Sequence, residues 1–417
     1  MKHPEAWNRR DFITRPVAFL AASRLLGNSE TLFGQPVNAE PAAPGEKIFA
    51  KPICRPLGKT GITLPIVSMG VMNADVPGLI PRSYEIGVRH FDTAEHYQQG
   101  RNEEMVGSMI KQMGVREKVI ISTKILPPGW SGRGPKQATI YTAAEVKQHF
   151  LDTFDGSLKR LQMDHVDILY NHAADTEAAI RSDGTLEAMT DLKKAGKARF
   201  LGVSSHQPVL VLEQAMRLGV YDVVLIPFNY TMAADRELLR TIDAAARKGI
   251  GIVAMKTQAG GAMRPDPRLG KPLKPASQTA LLKWALRHES IATAIPGYTT
   301  YDQMEQNFSV APSLSYTRAE EEFLSDSRAV SEAQFCHQCG QCRPDCPRGV
   351  DIPELMRSHM YAVQYANYAL AAQTMGSIAA GKGLSACVGC DSCLATCRNA
   401  VNIAMKIQHL KEIALIG

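Results

Sequence analysis

Eight cysteines between residues 336 and 397 constrain this chain more than any other feature, because the 335 residues before them hold only Cys54. They fall into two runs of identical spacing, C-x2-C-x2-C-x3-C: Cys336, Cys339, Cys342 and Cys346, then Cys387, Cys390, Cys393 and Cys397. Three thiolates on one tight loop reach three irons of a cubane, and in paired runs of this kind the fourth cysteine of each ligates the other cluster. That rule predicts one [4Fe-4S] cluster on Cys336, Cys339, Cys342 and Cys397, and a second on Cys387, Cys390, Cys393 and Cys346. Pro347 follows the first run, and Arg398 stands in that place after the second. Two zinc sites are the structural alternative, since C-x2-C pairs also suit zinc. A third cysteine at the same spacing, twice over, argues against them. Disulfides give no reason for two equal spacings.

The rest of the composition is that of a soluble globular chain. Of 417 residues, 45% are hydrophobic and 21% charged, which excludes disorder and fibrous repeats and suits two to three domains. The excess of 47 Lys and Arg over 41 Asp and Glu gives a net charge of +6. It is spread along the chain without a run of five or six like charges, so no nucleic-acid partner is implied. No stretch is long and apolar enough for a transmembrane segment.

The N-terminus reads as an address. Asn8-Arg9-Arg10-Asp11-Phe12-Ile13 precedes a moderately apolar stretch from Val17 to Leu26, and Val37-Asn38-Ala39 offers a small-residue cleavage site. This pattern predicts export by the twin-arginine route and a periplasmic location. Residues 1–45 are therefore expected to be signal and linker, outside the fold.

Between that segment and the cysteines, eight β-rich runs recur at 64–69, 88–91, 119–123, 166–170, 198–203, 223–226, 251–255 and 291–295. Helical patterns separate them, for example at 145–161, 178–195, 208–218, 235–248 and 275–288. Gly196, Gly219 and Gly249 stand where helix C-caps belong. Eight strand-helix units predict an α/β fold, a (β/α)8 TIM barrel over 46–315. A doubly wound sheet is the runner-up, but no G-x-G-x-x-G opens the first unit. The remainder, 316–417, is expected to be a small, mostly helical two-cluster domain with 352–376 as helix. Such clusters serve as an electron relay or as structural staples.

Polar residues gather at the ends of successive barrel runs, where TIM barrels keep their chemistry. Asp92 ends the second run with Tyr97 five residues on, Lys124 ends the third, and His172 follows the fourth. These four residues resemble the Asp-Tyr-Lys-His tetrad of the aldo-keto reductases. Leu57-Gly58-Lys59-Thr60-Gly61, Gly202-Val203-Ser204, Pro227-Phe228-Asn229 and Ile295-Pro296-Gly297 with Asn307 extend the resemblance over about residues 53–312. It implies that Tyr97 donates the proton to a carbonyl, Lys124 lowers the tyrosine's pKa, Asp92 pairs with Lys124, and His172 orients the substrate.

The same resemblance implies an NAD(P)(H) site involving Ser204, Ser205, Gly297, Gln303 and Asn307. This chain departs from the family there. His206 follows Ser205 where an Asn is usual, Leu225 stands near the position of a Gln, and Met255 takes the place of a stacking Tyr. Gly297 and Gln303 replace the Lys and Arg that hold a 2′-phosphate, so any NADPH preference should be weak. The whole resembles the aldo-keto reductases that carry a C-terminal ferredoxin-like module. It implies an exported oxidoreductase that interconverts a carbonyl and an alcohol, with an external one-electron carrier as partner. A non-catalytic electron-transfer or redox-sensing protein, with the barrel as scaffold, is the alternative.

Overall fold

A computed structural model describes residues 50–128, 141–259, 275–326, 336–365, 367–387, 390 and 392–414. The expected signal and linker, and most of a Gly/Pro-rich insert at 127–135, lie outside the described residues. Ten strands are present among them: β1 (Cys54–Pro56), β2 (Thr63–Pro65), β3 (Met69–Gly70), β4 (His90–Asp92), β5 (Ile120–Ile125), β6 (Val166–Asn171), β7 (Ala198–Ser204), β8 (Val223–Pro227), β9 (Gly251–Met255) and β10 (Thr293–Ala294). The helices are α1 (Leu79–Ile86), α2 (Arg101–Met113), α3 (Ala143–Leu161), α4 (Glu177–Ile180), α5 (Asp183–Lys194), α6 (Pro208–Leu218), α7 (Arg236–Arg247), α8 (Pro275–Arg287), α9 (Tyr301–Phe308), α10 (Arg318–Ser325), α11 (Ile352–His359), α12 (Tyr368–Gly376) and α13 (Ile403–Ala414).

Strands β3 to β10 pair in sequence order, each parallel to the next. The sheet closes on itself where Ser68 N–H donates to Ala294 (2.8 Å) and Ala294 N–H to Ile66 (2.9 Å). This is the (β/α)8 barrel the periodicity predicts. Near-continuous apolar strands follow from burial on both faces: every residue of β6 and β8 is buried. Gly196, Gly219 and Gly249 all take positive φ behind their helices, as C-capping requires.

The first β-rich run divides in two. Thr63–Pro65 belongs to an antiparallel hairpin with Cys54–Pro56, and only Met69–Gly70 joins the barrel. The hairpin plugs the N-terminal end of the barrel, since Leu57, Ile62 and Leu64 form one buried cluster with Ile168, Val223 and Val253 from inside it. Gly58 turns this hairpin at φ +55, and a Cβ there would lie 2.4 Å from the Gly249 carbonyl oxygen.

The patterns at 178–195 and 352–376 are also interrupted. Ser182 starts a new helix by accepting the Thr185 N–H, which separates α4 from α5. A π-helical turn at Met360–Gln364 and an Asn367 cap that accepts the Leu370 N–H separate α11 from α12.

The C-terminal region has its own small core, in which Val350, Ile352, Leu355, Ile403, Ile407 and Leu410 surround Cys342 and Cys387. Met360, Tyr361, Ala362 and Ala371 leave that core and join the main apolar cluster of the barrel. The segment between the two cysteine runs therefore packs on the barrel, and residues 48–417 form one compact unit.

Candidate active site and cluster-binding region

The C-terminal ends of the barrel strands open into a cavity of about 780 Å³. Asp92 at the end of β4, Tyr97 in the turn after it, Lys124 on β5 and His172 after β6 all line it. Strand order alone explains their convergence: β4, β5 and β6 are neighbours, and parallel strands deliver their C-terminal residues to one rim.

Lys124 is fully buried and its ammonium is shared three ways. It donates to Asp92, to the Thr93 carbonyl at 2.6 Å, and to the Tyr97 hydroxyl oxygen at 3.5 Å. Asp92 also accepts from Ser122 Oγ at 2.6 Å, and His90 Nε2 lies 2.9 Å from that hydroxyl. Because Ser122 has one proton and gives it to Asp92, His90 Nε2 is the donor to Ser122. A single chain, His90–Ser122–Asp92–Lys124–Tyr97, thus orders the polar groups beneath the cavity floor.

Burial pushes the Tyr97 phenol well above its ordinary pKa, and Asp92, Tyr361 and Glu95 push it the same way. The resting phenol is protonated. This differs from the lowering by Lys124 that the family resemblance implies: the ammonium only reaches Tyr97 at the outer limit of a hydrogen bond, and burial outweighs it. Burial also lowers the Lys124 pKa, opposed by Asp92. His172 is held well below its usual value by burial and by His96 and Lys124, so its imidazole is neutral. Its ring lies 4.9 Å from that of His96 and 6.0 Å from that of Tyr97.

The residues expected to hold a nicotinamide divide. Ser204 and Gly297 line the cavity beside Leu225 and Met255. Ser205 turns away and donates to Asp175 (2.9 Å), which also accepts from the His206 backbone N–H (2.6 Å). Gln303 accepts from the Thr299 N–H (2.9 Å), and Asn307 accepts from Gln258 (2.8 Å). Ser204, Leu225, Met255 and Gly297 share the cavity with Tyr97, which leaves a nicotinamide ring apolar side chains and one hydroxyl to meet there, and the 297–307 segment carries no Lys or Arg for a 2′-phosphate.

Sequence reasoning missed the roof. Arg357, Tyr361, Tyr365, Leu370 and Gln373, from α11, the π-turn and α12, close the cavity from above. Asn367 fastens this roof to the barrel by donating to Asn73 (3.1 Å). His96, His206 and Lys256 on the barrel rim also line the cavity. Of these, His206 carried a signal, as the residue after Ser205 where an Asn is usual, while His96 and Lys256 carried none beyond their nearness to Tyr97 and Met255.

The cysteines segregate as the crossed rule predicts. Cys336, Cys339, Cys342 and Cys397 line one small cavity. Burial raises the Cys387 thiol, and the thiols whose charge it feels are Cys346, Cys390 and Cys393. Cys342 is pushed up to about 11 by burial, with Cys397 and Cys339 as its neighbours. Each set joins three cysteines of one run to the fourth of the other, and four thiolates are the donor set that a cubane takes.

A family model described as aldo/keto reductase family matches residues 71–281, just over half of the chain, and one described as a 4Fe-4S dicluster domain matches residues 325–402. The chain belongs to the aldo/keto reductase family. Among curated members, it is 27% identical over 312 residues to L-galactose dehydrogenase of Arabidopsis thaliana, covering 67% of this chain and 94% of that protein. It is 24% identical over 317 residues to L-glyceraldehyde 3-phosphate reductase of Escherichia coli K12, covering 63% and 88%. An aldo-keto reductase from Bacillus halodurans in its holo form superposes with a TM-score of 0.53 at 22% identity, covering 68% and 96%, which establishes the fold. The described residues contain no helix long and apolar enough to cross a membrane.

Proposed function

We propose that this aldo/keto reductase interconverts a carbonyl and an alcohol in the roofed barrel cavity, with Tyr97 as proton donor and acceptor, and that two [4Fe-4S] clusters connect it to an external one-electron carrier. The observation that carries the reading is the buried Lys124 bridging Asp92 and Tyr97 at the cavity floor. Lys124 donates to the phenol oxygen, so the Tyr97 O–H is free to turn toward a carbonyl oxygen in the cavity. As that proton leaves, the ammonium stabilises the phenolate that remains. A neutral His172 offers one N–H to the same carbonyl oxygen and fixes its direction. The roof excludes water, which strengthens each of these contacts.

A nicotinamide bound against Ser204, Leu225, Met255 and Gly297 supplies hydride chemistry, and the missing cations predict that NADPH is not favoured over NADH. The clusters supply single electrons. The relatives named as L-galactose dehydrogenase and L-glyceraldehyde 3-phosphate reductase support a polyhydroxylated or phosphorylated small carbonyl compound as substrate class. The Arg9-Arg10 segment supports export to the periplasm with clusters already in place.

The test is anaerobic turnover of a panel of small aldehydes and ketones by cluster-loaded protein. NADH, NADPH and reduced methyl viologen are compared as electron sources, and alcohol is measured directly. Alcohol formation abolished by Tyr97→Phe is expected. No alcohol from any source would overturn the reading in favour of a scaffold role.

A further inference from the structure

Three cavities follow one another from the barrel into the C-terminal region. The active-site cavity has Lys256 and Arg357 in its wall. Both residues also line a narrow gap together with Cys336, Met356 and a third cation, Lys406, which belongs to the C-terminal region and stays in place when Lys256 or Arg357 is changed. Cys336 and Met356 in turn line the small cavity enclosed by Cys339, Cys342 and Cys397. The loop that carries the first run is fastened to the barrel rim: Gln207 Nε2 donates to the Gln338 carbonyl at 2.8 Å, and Thr231 Oγ1 lies 2.9 Å from His337 Nε2. Cys387 is held from within its own region, its carbonyl accepting from Lys411 at 2.9 Å. Each set has one exposed cysteine, Cys339 and Cys393, so the attachment of the first run to the barrel rim, and not exposure of its ligands, sets the two apart.

We infer that Cys336, Cys339, Cys342 and Cys397 hold the inner cluster, which is the electron port of the barrel cavity. Lys256 and Arg357 are positioning residues that couple the two electrostatically. The set of Cys387, Cys390, Cys393 and Cys346 is the outer one. With clusters held by these two cysteine sets, the outer set would receive one electron at a time from a reduced one-electron carrier and the inner set would hand it on toward the cavity. Each hop moves one electron and breaks no bond. Two such deliveries, with two protons, would balance the reduction of one carbonyl to an alcohol in place of a hydride from nicotinamide. The inference takes its cavity from the function proposed above, but the order of the clusters does not depend on which substrate is reduced.

A nearby cation favours the more negative, reduced form of a cluster and so raises its potential. Arg357 stands 3.2 Å from Glu354, which offsets part of its charge; Lys256, at the end of β9, gives the cleaner test.

The experiment is an anaerobic redox titration of the cluster-loaded full chain, followed by electron paramagnetic resonance. Cys339→Ser and Cys393→Ser assign the two signals, by altering one each or by deleting one and leaving the other. Lys256→Met and Arg357→Gln are expected to lower the midpoint potential of the signal belonging to Cys339 and leave that of Cys393 in place, and Lys256→Arg should restore it. If neither midpoint moves, if both move equally, or if only the Cys393 signal moves, the assignment is overturned. Should Arg357→Gln fail to fold, Lys256→Met decides alone, since its side chain lies on the barrel rim. Failure of carbonyl turnover would count against the proposed function and leave these potentials unchanged.

Discussion

Tyr97→Phe removes one oxygen atom from the active-site cavity and leaves the ring. The hydroxyl's hydrogen bond to the fold is the 3.5 Å contact with Lys124, and Lys124 keeps Asp92 and the Thr93 carbonyl without it. The ring contacts with His96 and His172, at 5.0 and 6.0 Å between centroids, also persist. Losing so long a hydrogen bond costs at most about 1 kcal/mol of stability, a shift of roughly 1–2 °C in Tm for a unit of this size. Losing a general acid costs about 10²–10⁴-fold in rate, which at 1.36 kcal/mol per decade is roughly 2.7–5.4 kcal/mol of barrier. Stability and activity should therefore separate. The assay is kcat/KM on any carbonyl substrate found, beside thermal unfolding and iron content of the same preparation. Lys124→Met is the contrasting variant. It strands the buried Asp92 carboxylate, for about 3–5 kcal/mol of destabilisation, and removes the charge that would hold the phenolate. A Tyr97→Phe protein that keeps its clusters and turns substrate over near the wild-type rate would refute the reasoning.

Anaerobically purified protein should contain eight irons and eight acid-labile sulfides per chain, because the two cysteine sets leave no ligand over; two zinc ions per chain, or four irons after reconstitution, would contradict this. With Arg9 and Arg10 both changed to Lys, the protein should stay in the cytoplasm with its clusters intact, and unchanged fractionation would sink the export reading. Acid should destabilise the fold through His90, whose pKa burial lowers to about 4, and through His172, which burial also holds well below its usual value. Below about 6.5 the unfolded chain takes a proton on each and the folded chain does not, so stability falls as pH falls, by roughly 1.4 kcal/mol per unit per histidine. Urea unfolding at pH 5.5 should show about 3 kcal/mol less stability than at pH 7.5, and an equal or higher value at pH 5.5 would disprove it.

The barrel and its tetrad were legible because both follow from local order. Asp92, Lys124 and His172 end consecutive strands, and consecutive parallel strands are neighbours, so nearness in sequence becomes nearness in space. The cysteine sets were legible for a related reason, since an exact repeat of spacing leaves few geometries. What escaped was whatever depended on distant packing. Arg357 lines the same cavities as Lys256, about a hundred residues earlier in the chain, and nothing in the helical pattern around it says that its helix covers a barrel. The raised Tyr97 pKa was not legible, because spacing brings a lysine near but says nothing of burial or of the Asp92, Tyr361 and Glu95 charges around the phenol. The helix at 352–376 was drawn too long because a π-turn and an Asn cap are events of one or two residues, below the resolution of periodicity.

The roof over the cavity has its two ends on one metal site. Cys346 and Cys387 belong to the same cysteine set, and the 40 residues between them contain Arg357, Tyr361 and Gln373. Iron bound there closes that segment into a handle, and in a chain-entropy picture a closed loop of this length is worth about 4 kcal/mol. A lid over the reaction chamber would then be held by cofactor as well as by its packing on the barrel. Loss of that iron would free both feet of the handle together and leave only the packing to keep the tetrad covered. Maturation of the metal site and enclosure of the substrate would be coupled events.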